Sequence, residues 1–252
     1  MSERLVHSCI ADPTGRQDWS LWKGRVEKPI YMIGSGGHAG SLLATLRARG
    51  MSCAGCISNS RPNTAGWQDV PWLGGDEALR TLDPAAVYLL NGIGSVGSLN
   101  LRRMIFDRAK AEAFTFLTLI HPSAIVERDV ELGEGAQVFA GAILQTGAWV
   151  GRNCIINSGV IVEHDNRIGD HCHIASGARL SGSVVVGENS HIGTGACIIQ
   201  DLEIEHHAVV GAGSVVLSNV KRWTKVAGAP ARQIRGTLYD VANSVGTSET
   251  NR

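Results

Sequence analysis

The chain has 252 residues, 23 of them basic and 23 acidic, and a formal net charge of zero. That balance excludes an electrostatic case for binding nucleic acid or an anionic membrane. No apolar run reaches the roughly 18 residues of a membrane span and no signal-peptide pattern opens the chain, so a soluble cytoplasmic protein is expected.

Residues 1–27 show no clear period and read as an N-terminal extension, with Trp19 and Trp22 free to pack on the domain or on a partner subunit. From Lys28 the pattern sharpens. Pro29 to Ile33 predicts a buried strand, Gly34-Ser35-Gly36-Gly37-His38-Ala39-Gly40 a glycine-rich turn, and Ala39, Leu42, Leu43, Leu46 and Ala48 the stripe of a helix ending at Gly50. Strand, glycine turn and helix open a nucleotide-binding α/β unit, in which backbone N–H groups and the helix N-terminus accept a phosphate. A tight turn with no ligand is the plain alternative.

A second strand is predicted near Cys53–Ile57. It ends in Ser58-Asn59-Ser60-Arg61 rather than the acidic residue of an ordinary NAD site. Cys53 and Cys56 form a lone CxxC with no second pair, which argues against a zinc or redox site. A third strand, Ala86–Leu90, leads into Asn91-Gly92-Ile93-Gly94, a loop able to line the same crevice. Leu101 to Ala113 predicts an amphipathic helix, and Phe116–Ile120 a last strand before His121-Pro122. A small Rossmann-like domain is thus expected over 28–118.

From Ile120 to Val216 an aliphatic residue recurs at every sixth position, seventeen times without a slip. Neither the 3.6-residue helical period nor the 2-residue strand period gives a strict six. A hexapeptide β-helix does, one short strand and one turn per hexad. Four residues after each aliphatic stands a second column, mostly small, which includes Cys154 and Cys172. Glycine often follows the aliphatic (Gly133, Gly151, Gly169, Gly187, Gly193, Gly211), as expected of tight corners. Three hexads close a coil of 18 residues, so residues 18 apart should stack. The hexads stop after Val216. A β-helix domain over 119–236 is expected, followed by a polar, frayed tail over 237–252.

Histidine is the natural general base near neutral pH. Of nine, His7 and His121 lie outside any motif, and His206 and His207 fit a solvated corner. His164, in Val162-Glu163-His164-Asp165-Asn166, sits between carboxylates in the only hexad with an amide in its small column. A carboxylate on one ring nitrogen fixes the tautomer and raises the basicity of the other; a surface histidine in a charged turn is the alternative. His173 and His191, 18 apart, should stack, but two histidines without a third ligand make a poor zinc site.

The hexads resemble the left-handed β-helix of the hexapeptide-repeat acyltransferases. Together with Gly-Ser-Gly-Gly-His, Asn-Gly-Ile-Gly, Asn157, Glu163-His164-Asp165, His173 and the closing Gly228-Ala229-Pro230-Ala231-Arg232, they resemble the bacterial sugar O-acyltransferases related to sialic acid O-acetyltransferase. Within these the likeness is greatest to N-acetyltransferases of nucleotide-linked 4-amino-sugars, of bacillosamine and perosamine type. The resemblance implies acetyl transfer from acetyl-CoA, without a metal, to the amine of a nucleotide-linked amino-sugar. It implies His164 as general base oriented by Asp165, with Asn157 beside the sugar and His173 by the acetyl group or thioester. Gly34, Ser35, Gly36, Gly37 and His38 would cradle the diphosphate, and Asn91, Gly92 and Gly94 would flank the sugar. Gly182, Thr194 and Ala212 would line a coenzyme A channel, with Gly228, Pro230 and Arg232 near the adenine, between the coils of a homotrimer. Ser58 and Asn59 replace acidic residues of the bacillosamine-pathway enzyme, so the nucleobase stays open. O-acetylation of a sialic acid or related sugar, and a non-catalytic sugar-nucleotide-binding scaffold, are the competing expectations.

Overall fold

The computed structural model describes residues 27–95 and 99–234. The expectations for Trp19, Trp22, His7 and the whole tail over 237–252 fall outside these. Strand β1 (Ile30–Ile33) is buried and central in a four-stranded parallel sheet. It is flanked by β2 (Gly55–Ile57) and β4 (Tyr88–Asn91), and β3 (Trp72–Gly74) forms the edge beyond β2. β3 was not foreseen: it is three residues long and exposes Trp72 and Leu73, so it carries no buried alternation to read.

Helix α1 (Gly37–Ala48) buries Ala39, Leu42, Leu43, Thr45 and Leu46. The expected stripe is corrected at its end, where Ala48 is exposed and Thr45 takes the inward place. Helix α2 spans Leu99–Ala111. The expected last strand divides in two. Phe116 bridges Leu89 of the sheet, whereas Leu119–Ile120 (β5) is the first rung of the coil.

Seventeen two-residue strands, from Leu119–Ile120 to Val215–Val216, wind into three parallel faces. Each strand pairs with the one 18 residues on, as in Ile155 with His173 on the first face, Ile161 with Arg179 on the second and Arg167 with Val185 on the third. The column aliphatics point inward and form one continuous buried core with the small column, Cys154 and Cys172 included. Strands this short cannot stand alone, so the stack itself is the stabilising unit.

The coil does not stop at Val216. Ile204 bridges Val220, and Val209 and Val210 pair with Lys225 and Val226. The separation there falls from 18 to 16 residues (209 to 225), which ends the visible hexad. Val220 and Val226 still close the core.

The corner geometry also differs from expectation. The glycine after each aliphatic is not at positive φ; the left-handed position lies three residues after the aliphatic, in an unbroken run from Gly135 to Gly213 that includes Asn153, Asp165, His171, Asn189 and His207. Gly187 is required instead by close approach: a Cβ there would lie 2.3 Å from the His206 nitrogen of the next rung.

The α/β sheet sits on the first face. Ile155 and Leu119, the outward residues of that face, pack with Ile30, Met32, Leu42 and Leu46. Among the described residues, no helix is long and apolar enough to cross a membrane.

Candidate active site

The glycine turn leaves β1 at Gly34 (φ +92°) and enters α1 through Gly36. Gly36 and Gly37 are exposed, α1 has no side-chain cap, and its first turn holds no acidic residue. Its first N–H groups therefore remain available to an anion. His38 turns back to the coil, where its Nε2–H donates to Gln137 Oε1 at 2.8 Å; Gln137 Nε2 donates to Asn91 O at 2.9 Å. Burial, reinforced by the Arg102 charge, lowers the His38 pKa to about 4.

Asn91 is buried, and its amide donates to Arg102 O and Asn153 Oδ1. Gly92 is packed so closely that a Cβ would lie 2.6 Å from Ile33 O. These two residues shape the loop from beneath. Gly94, against His38 Cβ, lies further along it. The loop ends at Ser95, whose hydroxyl bonds His173 Nδ1. Asn157 Oδ1 accepts from the Ser158 N–H, so its Nδ2 donates to His173 Nε2, at 3.2 Å. Both ring nitrogens of His173 are thereby engaged. Burial, with the charges of His191, His38 and Arg102, holds its pKa well below the usual histidine value. His191 stacks edge-on above it, ring centroids 4.9 Å apart.

His164 and Asp165 lie elsewhere, on the turn between the second and third faces, whereas Asn157 lies on the turn between the first and second. Asp165 Oδ2 accepts from His164 Nδ1–H at 2.8 Å, which leaves Nε2 as the basic atom. The imidazole is 57% exposed and its Nε2 edge lies over Gly182, one coil on. Beneath this corner the buried Asn166 donates to Glu163 O and Ser181 O, tying it to the next rung.

Thr194, Ala212 and Gly228 are exposed along the first turn edge, the one that carries Asn157. Ala231 N–H and Gly228 O bond Val215, fixing the segment that presents Pro230 and Arg232. Of the residues expected to bind coenzyme A, Gly182 lies on one edge of the prism, Thr194, Ala212 and Gly228 on another, and His173 is buried in a strand of the first face.

An open cleft of about 590 Å³ adjoins the glycine turn, lined by Gly34, Ser58, Asn59, Ile93 and by Leu101, Met104 and Ile105 of α2. Among the described residues no group of three or more potential metal ligands gathers. Sequence reasoning missed Ser95, Arg102 and Gln137. Gln137 alone had a visible signal, a polar residue in an outward column occupied by Leu119 and Ile155.

A hexad prism with a glycine-turn α/β sheet on one face and a carboxylate-bound histidine on an exposed corner is the build of a hexapeptide-repeat acyltransferase. Perosamine N-acetyltransferase from Caulobacter crescentus, solved as a point mutant with CoA and GDP-perosamine, superposes with a TM-score of 0.77 at 34% identity, covering 83% of this chain and 98% of that one. The PglB acetyltransferase domain from Neisseria gonorrhoeae FA1090, solved with acetyl coenzyme A, gives 0.76 at 30% identity over 82% and 99%. UDP-N-acetylbacillosamine N-acetyltransferase of Bacillus subtilis (strain 168) is 37% identical over 116 residues, 45% of this chain. The chain spans about half (52%) of that curated relative. No family model matches. The chain belongs to the family of sugar N-acetyltransferases that these proteins represent.

Proposed function

We propose that the protein transfers the acetyl group of acetyl-CoA directly to the amine of a nucleotide-linked amino-sugar. The observation that carries this is the His164–Asp165 pair, a tautomer-fixed imidazole with a free Nε2 on an exposed corner, in a chain whose relatives bind CoA and GDP-perosamine. The amine attacks the thioester carbonyl while His164 Nε2 takes its proton. The tetrahedral intermediate, its oxyanion held by a backbone N–H, collapses and expels the CoA thiolate, which receives the proton from His164. The products are an amide and a free thiol.

In this reading residues 28–118 form a Rossmann-like domain whose glycine turn holds the diphosphate, with the base in the cleft by Asn59. The hexad domain from residue 119 on forms a left-handed coil that carries the chemistry. The separation of His164 from the Asn157–His173 pair supports a homotrimer in which neighbouring coils complete each site. The second face, lying between those two turns, presents the apolar outward column Ile125, Ile143 and Ile161, with Ile125 55% exposed, as a subunit interface requires. Acetyl-CoA and nucleotide sugars are cytoplasmic metabolites, which supports that location.

The test is thiol release from acetyl-CoA with UDP-, GDP- and dTDP-linked 4-amino-sugars. Release with one of them, together with a product heavier by one acetyl group, is expected. Release with free sialic acid alone would replace this reading by O-acetylation.

A further inference from the structure

Arg102 is a buried cation without a counter-ion. It is 2% exposed, and burial lowers its pKa to about 9, so it stays protonated at neutral pH. Nη1 donates to Asn91 O and Ile93 O, both at 2.8 Å, and Nε donates to Asn153 O at 3.2 Å. All three acceptors are neutral carbonyls, and Nη2 has no partner. Among the described residues, no ion pair includes Arg102. Its charge acts on His38 and His173, themselves cationic when they titrate, and on the Cys154 thiol, which burial keeps in its neutral form.

The surrounding backbone adds to the imbalance. Arg102 lies in the first turn of α2, the positive end of that helix, and neither α1 nor α2 has an acidic residue in its first turn. An unpaired buried charge is among the costliest placements a chain can make. It is retained where a ligand completes the site.

We propose that Arg102 is a positioning residue for the nucleotide-linked substrate, its charge balanced only when a diphosphate occupies the glycine turn. The same guanidinium grips two carbonyls of the 91–95 loop and so holds Ser95 onto His173. Substrate charge and the placement of His173 are thus tied to one side chain. The proposal rests on the reading that the glycine turn binds the diphosphate.

Calorimetry with UDP, GDP and dTDP as probes tests it, on the wild type and on Arg102→Gln and Arg102→Lys. Removing a cation that balances a diphosphate inside a folded protein changes the diphosphate affinity by roughly ten-fold or more. R102Q, which keeps a donor but no charge, should lose that much diphosphate affinity, while R102K keeps most of it. KM for the nucleotide sugar should rise in R102Q and stay near the wild-type value in R102K, which restores the charge. In the wild type at pH 7.5, binding should be proton-neutral across buffers of different ionisation enthalpy, because a fixed cation supplies the charge. Uptake of about one proton per site would assign that role to the histidines and overturn the proposal, even if R102Q does not fold. Equal diphosphate affinity in R102Q and wild type would overturn it alone. No diphosphate binding to the wild type would remove the functional reading beneath it as well.

Discussion

The imidazole of His164 lies directly over Gly182, so that a Cβ added to Gly182 would stand 2.5 Å from both Cε1 and Nε2. Gly182 is not at positive φ, and its backbone accepts alanine without strain. The half-exposed ring is free to swing aside. Gly182→Ala should therefore leave the melting temperature close to wild type while turnover falls about 10²-fold, the cost of a misplaced catalytic group. Parallel thermal and kinetic measurements check this; full activity would mean that the ring position seen here is not the working one.

Asp165 has two duties that substitution can separate. Its carboxylate fixes the His164 tautomer, and its backbone holds the left-handed turn position at φ +59°. Asparagine tolerates that conformation, whereas alanine pays roughly 1–2 kcal/mol for it. Asp165→Asn should keep stability and lose turnover; Asp165→Ala should lose both. Urea denaturation beside kcat distinguishes the two variants.

Asn166 anchors the same corner from inside. Its Nδ2 donates to Glu163 O and Ser181 O at full burial. Asn166→Ala would strand those carbonyls at a cost of about 1–3 kcal/mol. Asn166→Asp should be worse, since a carboxylate cannot donate to them. Chemical denaturation of the pair should rank wild type above Ala above Asp.

The histidines at the joint set an acid limit on the fold. His38 and His191 titrate at about 4, each lowered chiefly by burial, and His173 is lowered too. Folded pKa values below the unfolded 6.5 mean that the unfolded chain binds more protons between them. Stability is complete above pH 6.5 and declines as pH falls toward 4. The urea midpoint should drop across that window, and His191→Gln should flatten the slope. A midpoint constant from pH 6.5 to 4 would contradict the neutral state of these rings.

Much of the coil was legible because one physical demand, an inward aliphatic per hexad, repeats from Ile120 to Val216. The last rungs were not, because pairing there shortens to 16 residues while Val220 and Val226 still fill the core. The left-handed corner column was readable in principle, since glycine, asparagine, aspartate and histidine mark it. His164 and Asp165 stood out through their charged hexad. Ser95 and Arg102 did not, because their meaning arises only when the sheet docks on the first face and joins residues 78 and 51 positions apart.

In the proposed reaction His164 Nε2 removes the amine proton. Thiol release from acetyl-CoA with the accepted nucleotide amino-sugar, measured for wild type and His164→Ala, tests it most directly. A loss of about 10²–10⁴-fold in kcat is expected, with the binding of coenzyme A and of the sugar nucleotide unchanged. Turnover by His164→Ala at the wild-type rate would contradict it.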